Sequence, residues 1–510
     1  MAAVARGGRA SRIVSFSLAS LAMVSFVASC SPPPELVPFP TVEESVVQPA
    51  APDTVGPLRM RGADLVDATG RVVLIHGMNS VRKEAPFYPN GDNGWLSDLD
   101  LEYLRNGGFN GIRLGVSYAA LMPDPGFVDQ DYLDRVVEVI DKLSAEGMWV
   151  QLDMHQDVFH LMPDWATPSD AVDLSDEIPP LVSFVGWAGR YMSDKSVRQW
   201  NSFLEGEPII DGRSVASVLG DAAAALASAA ADRPNVIGLE LLNEPVAGDS
   251  IIRCIAEGCA DRDRLLSDRY AEMIAPIRVA APEMAVWIEP FAPTAYASGP
   301  EMPMPEATPT SNGAQIGLAW HLYCKDTDGG KPVQSDALIA SMCANRMDNG
   351  MAAALNQAAR LGAGTGPAVP RMLNEFGASN DPLDVTLVGP RVDAGFVSWM
   401  YYHAPHATSP FDSSMPDVVE SQIIRAYPQA TAGTPGQLRY DPASGEFSYS
   451  YTADLTITAP TSIVIPSRAY PNGYTASVTG GTITSAPQAG RLTVEPDADG
   501  GTVTVKVSRG

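Results

Sequence analysis

The sequence predicts an α/β chain: a (β/α)8 TIM barrel followed by a small C-terminal antiparallel β-sandwich. Three observations carry this. From about residue 60, short apolar runs alternate with amphipathic stretches, giving eight β units with helices between them. The strand runs are near-continuously apolar, which fits a sheet buried on both faces. From about Tyr427-Pro428 the pattern turns into period-two runs separated by Gly, Pro, Asn and Asp, with no helix signal.

The elements follow in chain order. Arg6, Arg9 and Arg12 precede the apolar, Ser-dotted run Ile13–Val27. That run is short for a membrane span and has the layout of an export signal. It ends in Val27-Ala28-Ser29-Cys30, which resembles a bacterial lipobox with Cys30 as the acylated residue. Residues 1–29 are therefore expected to be a lipoprotein signal peptide, and a plain secretory peptide is the rival. Residues 30–57, rich in Pro and Val, read as a flexible tether. The barrel is expected over 58–428. Its candidate strands are Val72–His76, Gly111–Val116, Met148–Met154, Val236–Asn243, Ala285–Glu289, Gly317–Tyr323, Arg371–Phe376 and Phe396–Tyr401. Candidate helices include Gly94–Asn106, the Ala-rich Val215–Ala231, and Gln130–Glu146 with Leu133, Val136, Val137, Ile140 and Leu143 on one face. The sandwich is expected over 429–510, in a structural role.

Composition narrows the function. Hydrophobic residues at 45% and charged residues at 18% exclude wholesale disorder. A net charge of −26 argues against nucleic acid as a partner. Of five Cys, setting Cys30 aside leaves four, which allow three pairings. The local choice is Cys254–Cys259 with Cys324–Cys343. A zinc site lacks close C-x-x-C spacing and His is scarce, so no metal is expected.

Function in such a barrel gathers at the C-terminal strand ends. Here these carry His76-Gly-Met-Asn79, Arg113, Asp153-Met-His155-Gln-Asp157, Asn243-Glu244-Pro245, Glu289-Pro290, His321-Leu-Tyr323, Asn374-Glu375-Phe-Gly377, and Trp399 with Tyr401 and Tyr402. Glu244 and Glu375 close strands four and seven and face each other across the mouth. Cleaving a glycosidic bond takes one carboxyl as acid and a second as nucleophile or base. Asn243 is placed to donate to a sugar 2-hydroxyl, and Arg113 to keep a carboxylate ionised. Singly, each has a plainer reading: Arg113 as a core ion pair, His155 as a satisfied core histidine, Glu289 as a network carboxylate, Trp399 as core.

The set Arg113, His155, Asn243-Glu244-Pro245, His321-x-Tyr323, Glu375-Phe-Gly and Trp399 resembles glycoside hydrolase family five, a retaining barrel family. The resemblance implies Glu244 as acid/base and Glu375 as nucleophile. Lys83, Pro86-Phe-Tyr-Pro89, Asp157, Trp200-Asn-Ser-Phe203 and Arg371–Asn380 add a resemblance to the bacterial endoglycoceramidases, over roughly Val66 to the C-terminus. It implies that Lys83, His155, Asp157, Trp200, Asn243, Tyr323 and Trp399 contact glycan, with Arg113 and His321 in support. It also implies a glycosphingolipid substrate, cleaved to intact glycan and ceramide. No cofactor is expected. The chain is expected to be an exported monomer, at the cell surface through its lipid anchor or secreted. Phe87, Tyr88, Phe159, Leu161, Met162, Trp165, Leu181, Phe184, Val185 and Trp187 offer apolar surface for a lipid tail, or simply pack under long loops. Galactosyl-series specificity, a family-five endoglucanase or mannanase, and a glycan-binding lipoprotein remain the alternatives.

Overall fold

A computed structural model describes residues 46–48, 55–91, 95–157, 159, 162–166, 189–292, 299–307, 310–324, 337–363, 368–378, 382–403, 415 and 417–510. The signal, Cys30, most of the tether, and Leu161, Leu181, Phe184, Val185 and Trp187 lie outside the described residues.

Eight parallel strands close a barrel in sequence order: β1 His76–Ser80, β2 Gly111–Ser117, β3 Trp149–His155, β4 Val236–Glu240, β5 Val286–Ile288, β6 Ile316–His321, β7 Arg371–Glu375 and β8 Ser398–Tyr401. β8 returns to pair with β1, Trp399 opposite His76. The two strands that open the barrel approach closely. A Cβ on Gly77 would come within 2.4 Å of the Gly111 carbonyl oxygen, so glycine is required there.

The helices begin where side chains can cap them. Ser97 and Asp100 form a reciprocal capping box, so that helix starts at Asp98 rather than at Gly94. Asp129 caps Gln130–Ala145, whose buried face is Tyr132, Leu133, Val136, Val139, Ile140 and Leu143. Val139, not Val137, completes that stripe, because it lies three and four residues from its buried neighbours.

Inside the barrel, polarity is layered. At the N-terminal end of the strands, Ile75, Trp149, Ile237, Trp287, Ala319, Met372 and Met400 form an apolar plug. Above it stand Asn79, Arg113, Gln151, Asp153, Glu240, His321 and Asn374, all buried. Apolar below and polar above is what makes the C-terminal mouth the chemical end.

The expected segment boundaries are crossed in one place. Residues 59–73 do not open the barrel. They form three antiparallel strands, Arg59–Arg61, Asp64–Val66 and Val72–Val73, which join a seven-stranded sheet with strands of the C-terminal region. Val73 pairs with Ala430, and Val72 with Thr431. The candidate strand Val72–His76 is thus divided between two sheets. Met60 and Leu65 seal the floor of the plug, and Gln315 clamps Met60 through two backbone hydrogen bonds of 3.0 Å. A four-stranded sheet, including Phe447–Ala453 and Thr502–Arg509, completes the two-sheet C-terminal region. Cys254 is bonded to Cys259, and Cys324 to Cys343, with Cα separations of 4.8 and 4.9 Å. No helix among the described residues is long and apolar enough to cross a membrane.

Candidate active site

Arg113 on β2 organises the mouth. Its guanidinium is fully buried and reaches three carboxylates: Glu240 at 2.7 Å, Asp153 at 3.0 Å and Glu375 at 3.2 Å. It also donates to Asn243 Oδ1 at 2.7 Å and Asn79 Oδ1 at 3.0 Å. A planar fork of fixed donors is what can serve this many acceptors in one place. Asn374 Nδ2 donates to Glu240 at 2.7 Å, and Asn79 donates to the backbone carbonyl of Asn374 at 2.9 Å.

Glu244 and Glu375 lie where strand parity and the Asn-Glu turns aim them. His321 joins them: its Nδ1 is 2.8 Å from Glu244 Oε1 and 3.0 Å from Glu375 Oε2. One carboxylate oxygen of each and a His321 nitrogen all fall within 4.8 Å of one another. Tyr323 donates to Glu375 Oε1 at 2.8 Å, and Tyr191 to Glu244 Oε2 at 3.0 Å. Both oxygens of each glutamate are therefore held by donors.

The electrostatics differ between the two carboxylates' partners. Burial would push the Glu375 carboxyl up, but His321 and Arg113 outweigh it and hold Glu375 well below the usual carboxylate range. Burial would strip the His321 proton, yet Glu289 and Glu375 outweigh that and lift the imidazole well above its ordinary range. Two triplets are spaced to hold a cation: Glu244–His321–Glu375 and Glu240–Glu289–His321. In the first, each donor atom is already engaged within the triplet or with Arg113.

A second cluster flanks Glu375. Lys83 Nζ lies 2.5 Å from Asp157 Oδ2, and His155 bridges Asp153 at 2.7 Å and Asp157 at 3.4 Å. Lys83 also stands 5.7 Å from the Tyr402 ring centroid. Burial would lift the Asp157 carboxyl, but Lys83 and His155 hold it far below its ordinary range. Asn243 Nδ2 donates to the Gln156 carbonyl at 2.8 Å, and Gln156 Nε2 returns a bond to the Asn243 carbonyl at 2.5 Å. That exchange ties the end of β4 to the segment after β3.

The structure thus brings together Lys83, Arg113, His155, Asp157, Asn243, Glu244, His321, Tyr323 and Glu375. It does not bring Trp399 or Trp200 to the cleft. Trp399 is 1% exposed, stacked on His76 at 4.2 Å and edge-on to Phe376 at 5.6 Å. Its position on β8 faces the helix shell, while Met400 faces the barrel interior. Tyr402, with Met400's parity, takes the place beside Lys83. Trp200 is 0% exposed and packs on Phe159 at 4.6 Å and Phe203 at 5.7 Å. Phe159 and Met162 are buried as well, so the plainer reading of those apolar residues holds for them. Phe87 and Tyr88 remain partly exposed.

Sequence reasoning missed Tyr191 and Glu240. Tyr191 sits in a short 3-10 turn with no periodicity to mark it. Glu240 does break an apolar strand, Val236-Ile-Gly-Leu-Glu240, and a charge inside such a run is the available signal.

Comparison with known proteins bears on this geometry. Residues 66–393 match the family described as Cellulase (glycosyl hydrolase family 5), and residues 425–507 match the glycoside hydrolase family 5 C-terminal domain. The chain is 34% identical over 471 residues to endoglycoceramidase I of Rhodococcus hoagii (strain 103S), covering 90% of this chain and 89% of that one. It is 25% identical over 453 residues to an endoglycoceramidase of the jellyfish Cyanea nozakii, covering 81% and 85%. Among solved structures, endo-glycoceramidase II from Rhodococcus sp. in a cellobiose-like imidazole complex superposes with a TM-score of 0.70 at 25% identity, over 87% of this chain and 99% of that one.

Proposed function

The chain belongs to glycoside hydrolase family 5 and is a glycoside hydrolase, and on that premise we propose that it cleaves glycosphingolipids between oligosaccharide and ceramide by a retaining mechanism. The observation that carries the substrate is the 34% identity to an endoglycoceramidase across nine-tenths of the chain. The one that supports retention is the single imidazole joining Glu244 and Glu375, with their oxygens within 4.8 Å. Retaining enzymes place their carboxyl groups about 5–5.5 Å apart, and inverting ones leave room for a water.

The chemistry follows from the contacts. Glu375, held ionised by Arg113 and His321, attacks the anomeric carbon of the sugar next to ceramide. Glu244 gives its proton to the departing ceramide oxygen, and the glycosyl–Glu375 ester forms. Water, deprotonated by Glu244, then opens that ester and returns Glu375 as a carboxylate. Tyr323 steadies Glu375 while charge leaves its Oε2. Lys83, Asp157, His155 and Asn243 present the donors and acceptors for sugar hydroxyls. Cys30 carries the lipid that holds the enzyme at a membrane surface, and the chain acts outside the cytoplasm as a monomer.

The test uses purified full-length protein in detergent with lactosylceramide and a ganglioside, and in parallel carboxymethylcellulose and mannan. Free ceramide with intact oligosaccharide, first formed as the β-anomer by proton NMR, is the expected result. Polymer hydrolysis with untouched lipids would overturn the substrate. An initial α-anomer would overturn retention. Metabolic labelling with palmitate, lost in Cys30→Ser, tests the anchor.

A further inference from the structure

Glu289, just beyond β5, has no part in the steps above, yet it touches the machinery at two points. It is 1% exposed. Its Oε2 accepts the Glu244 backbone amide at 2.7 Å and lies 3.8 Å from His321 Nε2. Its own backbone is pinned by Tyr270, whose hydroxyl donates to the Glu289 carbonyl at 2.7 Å and accepts its amide at 3.3 Å. A carboxylate this deep, so firmly placed and so near two reacting groups, calls for a reason.

The reason lies in the backbone of Glu244. Its φ is +42°, in the left-handed region that a residue with a Cβ avoids, and Pro245 follows it. The strand has ended at Glu240, and the Glu244 amide goes to the Glu289 side chain instead of a ladder carbonyl. From this left-handed turn the Glu244 side chain reaches His321 Nδ1 and Tyr191. A buried amide left without an acceptor would let that turn relax.

The charge state of the acceptor follows from its surroundings. His321 on β6, Glu240 on β4, Glu244 and the Tyr270 hydroxyl are the titratable groups that face it. Burial, then repulsion from Glu240 and Glu244, lifts the Glu289 carboxyl well above the ordinary range in spite of His321. Neither Glu289 Oε1 nor Glu240 Oε1 has a hydrogen-bond partner among the described residues.

We propose that Glu289 is a positioning residue for Glu244: its side chain accepts the Glu244 amide, fixes the left-handed turn, and so aims the acid/base at the leaving group. The proposal rests on Glu244 being the acid/base. It predicts a defect confined to the steps in which Glu244 gives or takes a proton.

The experiment compares Glu289→Leu and Glu289→Gln with the parent chain on three substrates: lactosylceramide, phenyl β-lactoside and 2,4-dinitrophenyl β-lactoside. The last needs no proton to expel its leaving group. The readout is kcat/KM, which reports only formation of the glycosyl-enzyme. Glu289→Leu should lose about 30- to 100-fold on the two poor leaving groups, with KM there held within threefold, and less than threefold in kcat/KM on the dinitrophenyl substrate. Glu289→Gln, neutral and still an acceptor, should recover to within about threefold. Should the Leu variant fail to fold, Glu289→Asp, which draws the acceptor back by one methylene, is expected to show the same split. Equal losses on all substrates, no loss in the Leu variant, or a Gln variant as slow as Leu would each overturn the proposal. If the parent cleaves the aryl lactosides but not lactosylceramide, the substrate reading fails and the phenyl and dinitrophenyl pair still decides the role of Glu289.

Discussion

Replacing the two catalytic glutamates by alanine, one at a time, gives the sharpest check on their assigned roles. Glu375→Ala removes the nucleophile and three polar contacts, to Arg113, His321 and Tyr323. Arg113 keeps Glu240 at 2.7 Å and Asp153 at 3.0 Å, so its charge stays compensated. The fold should therefore lose at most about 3 kcal/mol, the low end for a broken buried pair, and survive. Catalysis should not survive. With no group to form the glycosyl ester, turnover of lactosylceramide should fall by at least about 10⁴-fold, roughly 5.5 kcal/mol at 1.36 per decade. The truncation leaves room for a small linear anion, and sodium azide supplies one. In Glu375→Ala, azide takes the nucleophile's place and a single displacement yields the α-glycosyl azide. In Glu244→Ala, assayed on dinitrophenyl lactoside, Glu375 still forms the ester and azide opens it, yielding the β-glycosyl azide. The assay is product anomer by proton NMR. Reversed anomers would interchange the two roles. A Glu375→Ala variant with more than a hundredth of parental turnover would refute the covalent route altogether.

Three further outcomes follow from the same contacts. His321→Gln removes the foremost cationic partner of Glu375, so the acid limb of kcat/KM against pH should move upward. In the parent, the Glu375 carboxyl is depressed on folding, so its stabilising share is complete above about pH 4.3 and is lost only as pH falls through its lower folded value. An unmoved acid limb would show that His321 does not set Glu375. Lys83→Met breaks the ion pair with Asp157, but the lysine is 37% exposed, so stability should change by under about 1 kcal/mol. KM for lactosylceramide should rise about tenfold instead, and an unchanged KM would remove this pair from the sugar site. Trp399→Phe should lower the unfolding free energy by about 1–3 kcal/mol and leave KM within twofold, because the ring packs among His76, Phe109 and Phe376 rather than on a sugar. A large rise in KM with an unchanged melting temperature would return Trp399 to the cleft.

The barrel and its two glutamates were legible because each apolar strand is closed by a cluster of polar residues, and such clusters have no reason to end buried strands except chemistry. The eighth strand was harder for the opposite reason. Trp399, Met400 and Tyr401 are apolar on both faces, so period two offers no contrast from which to choose parity; the resemblance implies Trp399 at the cleft, where Tyr402 stands beside Lys83. Trp200 is implied as a glycan contact by the resemblance alone, and its neighbours Phe159 and Phe203 cover it. Val72–His76 reads as one barrel strand because the partner of Val72–Val73 lies near residue 430, and no local pattern records a pairing across so much chain. Tyr191 reaches Glu244 from a short 3-10 turn just before the Asp194–Glu205 helix, too short to carry a readable period.

Stitching of the first strands to the last also orders events in time. A ribosome releases Arg59–Val73 hundreds of residues before it releases Tyr427–Thr431, the strand that they need as a neighbour. Until then the edge of their small sheet, at Val72–Val73, stands open to any other chain. The strand at Tyr427–Thr431 thus completes a sheet begun at Arg59, so a chain cut short before residue 427 leaves Val72 and Val73 with an open edge where that neighbour should lie.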